Sequence, residues 1–343
     1  MATIVISDPE TSLSVEPTHF SLRAGGRKIG RIPLGIMEQV VIHHGVEVTR
    51  KAMSRLGACG IPVTFLDQEG RVECRLVPAW KFDAAPRLGQ AGAWFCEATR
   101  LRLARRFVDA KLANASAVVR LHAGNHPAPE LAGVCERLRE SRADLRGAPD
   151  TNAIMGVEGM ASRIYFGALS RMLRVQWTTF TGRTRRPPLD PVNAVLSYLY
   201  AVLTHQMMSY LEALGLDPYI GYLHTNESRR PTLALDMIEP FRALLGDRLM
   251  LRLLNLGTLR PEHFEERNGP GKGTFINADG RTALLKVYAD WSRGCDETLA
   301  VKLTSPGHLL LAEAERFRQH AKAGDLANFE PYYRNADDAT PGI

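Results

Sequence analysis

Closely spaced cysteines are absent from this sequence. Its five cysteines, Cys59, Cys74, Cys96, Cys135 and Cys295, are scattered over 343 residues, with no CxxC pair and no zinc spacing. An odd, dispersed set fits reduced thiols in the cytoplasm better than a disulfide framework. No uninterrupted apolar run reaches membrane-spanning length either, because Asn193, His205 and Gln206 interrupt the longest candidate. The N-terminal "MATIVISDPETSLSV" lacks a basic region followed by an apolar core, so no secretion signal is expected. The histidines form no short metal motif, and no internal repeat is visible. These absences leave a soluble, cytoplasmic, non-membrane chain as the expectation.

The length suffices for one large domain or two ordinary ones. Hydrophobic residues at 45% and charged residues at 23% are ordinary for a globular protein. The net charge of +6 is compatible with a polyanionic partner without requiring one.

The chain has two textures. Residues 1–78 hold short runs rich in Val, Ile, Thr and Phe: "TIVIS", "SLSVE", "HFSLR", "EQVVIHH" and "IPVTFLD". Asp8-Pro9 and Gly25-Gly26 punctuate them, and one helix is expected from Thr49 to Ala58, ending at Gly60. This reads as a small β-rich domain. A linker is expected over 79–90, then an all-α domain over 91–325 and a polar, loosely held tail over 326–343. The predicted helices are Gly92–Asn114, Pro129–Arg142, Asn152–Arg174, Pro191–Leu214, Thr232–Asn255 and Leu309–Lys322. Asp190 and Pro191 give the fourth a good N-cap and first residue, and Gly215 a natural stop. Its apolar residues run nearly all the way round, as expected at the centre of a bundle. Between 260 and 290 a hairpin is expected, with Asp279-Gly280 as its turn. The fold class is α+β.

Three features break the helical pattern. In "GVEGMASRIYFGALSRML", Glu158 shares a helical face with Ile154, Val157, Ala161 and Tyr165. A carboxylate there needs a cation: an arginine in a buried ion pair, or a bound metal. In "RPTLALDMIEPF", Asp236 and Glu239 stand at i and i+3 beside an apolar stripe. Pro240 clashes with the carbonyl four residues back, so a kink is predicted at Asp236. Solvated acids near a helix N-terminus are the alternative. In "GLDPYIGYLHTNESRRP", His224 closes a glycine-bearing aromatic turn, as a ligand or as a hydrogen-bonded structural residue. If the bundle gathers Glu158, His224 and Asp236, two carboxylates and one imidazole form a hard donor set suited to Mn²⁺ or Mg²⁺ rather than structural zinc. Such an ion stabilises charge on a phosphoryl oxygen and activates a hydroxyl.

Basic residues give independent reason to expect a polyanion. Arg102, Arg105 and Arg106 lie on neighbouring turns of one helix, and Arg183, Arg185 and Arg186 lie in a proline-bounded loop. Arg229 and Arg230 follow His224. These arginines are candidate phosphate contacts, the alternative being a solvated charged face.

"NAIMGVEGMASRIYF", "RRPPLDPVNAVLSYLYAVL", "GLDPYIGYLH" and "PTLALDMIEPFR" occur in that order. Together they resemble the motifs of the CRISPR-associated adaptation endonuclease/integrase family. The segment from "SLSV" to "IPVTFLD" is similar to that family's β-domain, so the likeness covers almost the whole chain. The resemblance implies a small β-domain, used for dimerisation, followed by a helical catalytic domain. It implies a homodimer that works with a small ferredoxin-like subunit and binds short double-stranded DNA. Insertion of that DNA into a CRISPR array proceeds by 3′-hydroxyl attack on a repeat-boundary phosphodiester. The family's metal-binding glutamate, histidine and aspartate fall on Glu158, His224 and Asp236, with Glu239 a further ligand or supporting residue. Two other readings of the chain are a structure-selective DNA nuclease and a non-catalytic DNA-binding scaffold.

Overall fold

The β-rich runs of the N-terminal region form two four-stranded sheets around one core in the computed structural model. The structure describes residues 2–34, 37–68, 72–77, 84–126, 129–225, 230–269, 272–292 and 306–334. One sheet has the order β1 (Ala2–Ile6), β5 (Met37–Ile42), β7 (Val63–Leu66), β8 (Val72–Leu76). Its first three strands are parallel, with Ile6 opposite Ile42 and Val40 opposite Val63, and β8 runs antiparallel to β7. Parallel neighbours need a crossover, and between β5 and β7 it is α1 (Arg50–Ala58). The other sheet has the order β4 (Arg27–Pro33), β3 (His19–Ala24), β2 (Thr11–Val15), β6 (Glu47–Val48). Leu13 and Phe20 from this sheet meet Ile42 and Val63 from the first, with Leu56 of α1 between them. Thr49 caps α1 by accepting the Ala52 N–H at 3.2 Å, and Gly60 then takes the left-handed φ of +76° that ends the helix as expected.

Strands β4, β6 and β8 were not expected. β8 lies within the β-rich region but in none of the runs read as strands, because only its pairing with β7 marks it as one.

The helical region is built on α3 (Glu97–Asn125), α5 (Thr151–Met172) and α6 (Pro191–Ala213), with α4 (Ala132–Asp144) against the first two. Asp150 and Asp190 cap α5 and α6 by accepting the N–H groups of Ala153 and Asn193, each at 2.8 Å. As expected of a central helix, α6 buries residues on all sides, including Val195, Leu199, Leu203 and Met207.

Several expectations need correction. The helix read from Gly92 to Asn114 is two: α2 (Ala85–Phe95) and α3 meet at Cys96, whose backbone is extended. Residues 85–90, read as linker, are thus helical, and Gln90 is fully buried. The hairpin exists, but β9 (Phe264–Arg267) and β10 (Gly273–Ile276) form it, and Asp279-Gly280 opens α9 (Ala278–Ser292) instead of turning it. The tail is not loose as far as Arg334. After α10 (Pro306–Ala323), Phe329 is fully buried and Tyr332 stacks on Phe241 with centroids 5.5 Å apart. The polar composition hid two aromatic anchors. Among the described residues, no helix is long and apolar enough to cross a membrane.

Helices α2 and α10 approach so closely at Gly89 that a Cβ there would lie 1.8 Å from the carbonyl oxygen of Ala321. Gly92, one turn on, has nothing within 4 Å of its own virtual Cβ. Gly89→Ala should therefore lower stability by about 2 kcal/mol or more, because backbone must move. Gly92→Ala should raise it by up to about 1 kcal/mol through helix propensity. Denaturant midpoints of the two variants, measured side by side, check this opposition.

Candidate active site

The helical run 232–255 is interrupted at Pro240, after Ile238 and not at Asp236 where the kink was expected, and the break shapes the site. Helix α7 (Thr232–Ile238) ends two residues before Pro240, a 3₁₀ turn covers Glu239–Phe241, and a π-helical turn covers Arg242–Asp247 before α8 (Arg248–Asn255) resumes. A proline removes one backbone donor and crowds the preceding turn, so the chain rewinds around it. The rewinding brings Glu239 to Lys111 of α3 and Arg242 over Tyr200 of α6.

The turn before α7 is held by Gln90, whose Nε2 donates to the carbonyls of Asp217 (2.7 Å) and Ile220 (3.2 Å). Gly221 allows the turn to touch α7, since a Cβ there would lie 2.6 Å from the Thr232 carbonyl carbon. Asp236 then collects the turn. Its Oδ2 accepts the N–H groups of Tyr222 (2.6 Å) and Leu223 (2.9 Å), and its Oδ1 accepts that of His224 (3.3 Å). The same Oδ1 lies 2.6 Å from His224 Nδ1. A carboxylate only accepts, so Nδ1 carries the proton and Nε2 is left to face outward. It faces Glu239, with Nε2 4.0 Å from Oε1. Burial works against a charged imidazole, but the hydrogen bond and charge of Asp236, aided by Glu239, raise its pKa above the ordinary value.

Glu239 is buried among cations. Arg242 Nη2 is 3.2 Å from its Oε1 and Lys111 Nζ is 2.8 Å from its Oε2. Burial alone would push this carboxyl up; Arg242, Lys111 and His224 outweigh it and hold the pKa down at about 2. Across the site, Glu158 Oε1 accepts from Ser162 Oγ at 2.8 Å and forms an ion pair with Lys111. Burial raises its pKa, and Lys111 more than reverses that.

The structure thus brings Glu158, His224, Asp236 and Glu239 into one chain of contacts, with unequal parts. Asp236 is fully buried and both its oxygens are engaged, so the ligand place read for it is better matched by Glu239, one 3₁₀ turn on. The cation beside Glu158 is neither of those expected: it is Lys111, from α3. Among the described residues, no three His, Cys, Asp or Glu side chains are gathered as they stand for one metal ion. The donors themselves, two carboxylates and an imidazole nitrogen, match a hard divalent cation. The ammonium lying between the carboxylates shows that this point accepts positive charge.

Beside this group Asp247 is buried and accepts hydrogen bonds from Tyr200 (2.6 Å) and Tyr165 (2.9 Å). Arg242 lies over the Tyr200 ring, 4.6 Å from its centroid. A small cavity bounded by Lys111, Ser162, Tyr165, Arg185, Tyr200 and Asp247 separates this cluster from the carboxylates.

The arginines read as phosphate contacts divide. Arg106 is committed to the carbonyls of Ala327 (2.7 Å) and Phe329 (2.8 Å) and to Glu330, Arg105 to the carbonyl of Ala148, and Arg102 reaches Ala327 at 3.5 Å. Arg106 fastens the C-terminal strap and Arg105 the α5 approach, so the phosphate-facing role read for these two gives way to a structural one, while Arg102 stays exposed beside them. Arg183 is turned inward onto Asn193 and Ser197. Arg185 and Arg186 are exposed, Arg230 is half-buried, and Arg229 lies outside the described residues.

Lys111, Ser162 and Arg242 were missed. Arg242 had a signal, since it repeats the i, i+3 spacing from Glu239 that already links Asp236 to Glu239. Lys111 had only its place among apolar neighbours in "VDAKLANAS", the same oddity that singled out Glu158.

The sequence matches the family described as "CRISPR associated protein Cas1" over residues 4–290. It is 31% identical over 342 residues to "CRISPR-associated endonuclease Cas1 2" of Rhodospirillum rubrum, covering 96% of this chain and 98% of that protein. The fold is similar to that of a Cas1 protein from Thermotoga maritima, with TM-score 0.78 and 22% identity over 97% of this chain and 99% of the other. It is also similar to a casposase bound to its integration product, with TM-score 0.76 and 18% identity over 98% and 96% of the two chains.

Asp236 and Glu158 should respond differently to loss of charge. Asp236→Asn places an amide against backbone donors and should cost about 3 kcal/mol, whereas Glu158→Gln leaves Lys111 paired to Glu239 and should cost about 1 kcal/mol. Equilibrium unfolding of both variants checks the difference. A second outcome concerns pH. Burial raises the pKa of Asp247 to about 6, above its unfolded value, despite the two tyrosines. A raised carboxyl pKa stabilises the fold below the unfolded pKa, and that contribution is lost as pH rises to about 6. Asp247→Asn should thus gain about 3 kcal/mol relative to the parent between pH 4 and pH 7. Melting curves across that range give the slope.

Proposed function

The chain belongs to the CRISPR-associated Cas1 family, and from that membership we propose that it is a metal-dependent DNA endonuclease and integrase. Its substrates are a short double-stranded DNA and the repeat of a CRISPR array. The reaction is attack of a 3′-hydroxyl on a repeat-boundary phosphodiester: a new phosphorus–oxygen bond forms as the attacked strand's 3′-oxygen leaves. One observation carries the reading. His224 is fixed through Nδ1 by Asp236, so that Nε2 points at the buried carboxylate of Glu239. A carboxylate behind an imidazole orients ring and tautomer for a ligand on the far nitrogen.

Glu158, His224 Nε2 and Glu239 would hold Mn²⁺ or Mg²⁺. When bound there, such an ion supplies charge stabilisation at the phosphoryl oxygens and promotes ionisation of the attacking hydroxyl. Asp236 holds the imidazole in place, and Arg242 keeps Glu239 ionised at any working pH. Ser162 fixes one oxygen of Glu158 and so limits its rotamer. Arg185 and Arg186, exposed in the loop before α6, are placed to meet backbone phosphates. The protein acts as a homodimer joined through the β-domain, with a small ferredoxin-like subunit as further partner.

The test is integration of a labelled duplex into a repeat-bearing plasmid, with Mn²⁺ and with chelator. Product should require the ion. Glu158→Gln and Glu239→Gln should each lower its yield by about a hundredfold or more, beyond what supporting residues usually contribute. Full activity with chelator, or in a folded Glu239→Gln variant, would overturn the assignment.

A further inference from the structure

Lys111 stands between the two acids read as ligands. Its Nζ meets Glu158 Oε1 on one side and Glu239 Oε2, at 2.8 Å, on the other. The two carboxylates come from elements distant in sequence, α5 and the 3₁₀ turn after α7, and α3 packs against both. Arg242 is the other positive group at this point, and it holds Glu239 through Oε1. Among the described residues, Lys111 is the one cationic partner within ion-pair distance of Glu158.

An ammonium and a divalent ion a few ångströms apart repel strongly where water is scarce. The oxygens that the ammonium engages are less available to the ion. Lys111 borders a small cavity that Ser162, Tyr165 and Asp247 also line.

We infer that Lys111 is a built-in counter-cation: it holds Glu158 and Glu239 at one point and competes with the divalent ion for them. It is a positioning residue, setting how tightly the ion binds rather than touching the reacting atoms. The inference rests on the metal reading above and adds a residue which weakens ion binding while it supports the fold.

Titration calorimetry with Mn²⁺ alone, on the full chain without DNA, separates the possibilities. Lys111→Met keeps the length of the stem and removes the charge, Lys111→Gln keeps a polar end should the methionine variant fail to fold, and Lys111→Arg keeps the charge. The neutral variants should melt at lower temperature without metal, yet bind Mn²⁺ about tenfold or more tightly, since a like charge has gone. Mn²⁺ should also raise their melting temperature more than that of the parent. Lys111→Arg should bind no tighter than the parent. A purely structural lysine would lower melting temperature without tightening Mn²⁺ binding. If the parent binds Mn²⁺ and the folded neutral variants bind it equally or less, the competition is wrong while the metal reading stands. If neither the parent nor any variant binds Mn²⁺, both fall together.

Discussion

One buried carboxylate gathers the candidate site of this molecule. Asp236 has no exposure to water, and its four contacts are the N–H groups of Tyr222, Leu223 and His224 and the His224 ring. A carboxylate in low dielectric must be met by donors, and the 221–224 turn is shaped to supply them. The imidazole direction follows from that, and so does the path of the chain into α7. The glycine at 221 and the anchoring amide of Gln90 serve the same end from outside.

Charge balance sets the next constraint. Glu158 and Glu239 bring two negative charges to one buried point, and Lys111 and Arg242 bring two positive ones. The pairs share partners, since Lys111 meets both acids, so loss of one acid still leaves Lys111 a carboxylate. The neighbouring Tyr165–Asp247–Tyr200 group fills the wall behind it with short hydrogen bonds. The π-helical turn bearing Arg242 and Asp247 belongs to both clusters, as local unwinding at functional sites often does.

The C-terminal strap ties this arrangement to the rest of the bundle. Asn114, fully buried on α3 one turn beyond Lys111, donates to the carbonyls of Pro240 (2.8 Å) and Tyr332 (2.9 Å) and accepts the Arg334 N–H (2.8 Å). Glu313 accepts the Tyr332 N–H at 2.8 Å, and Arg106 binds the strap's carbonyls further back. The turn that carries Glu239 is therefore braced through α3 by residues some ninety positions later in the chain.

Much of this was legible from residues alone. Short runs rich in Val, Ile, Thr and Phe named strands β1, β2, β3, β5 and β7, caps and glycines placed α1 and α6, and Pro240 announced a break. Glu158 stood out because an acid on an apolar face needs a cation wherever it ends up. Other elements had no local signal. Strand β8 exists through its partner β7, and the tail is ordered through the pockets that receive Phe329 and Tyr332. Likewise, arginines at 105 and 106 look like phosphate contacts until carbonyls from 148, 327 and 329 arrive beside them. Sequence by itself determined that acids and a histidine had to find cations and donors inside a helical bundle. Only tertiary packing decided which: Asp236 closes on backbone N–H groups and Glu239 on Lys111, because hydrogen bonds and ion pairs form between neighbours in space, and spacing along the chain does not fix those.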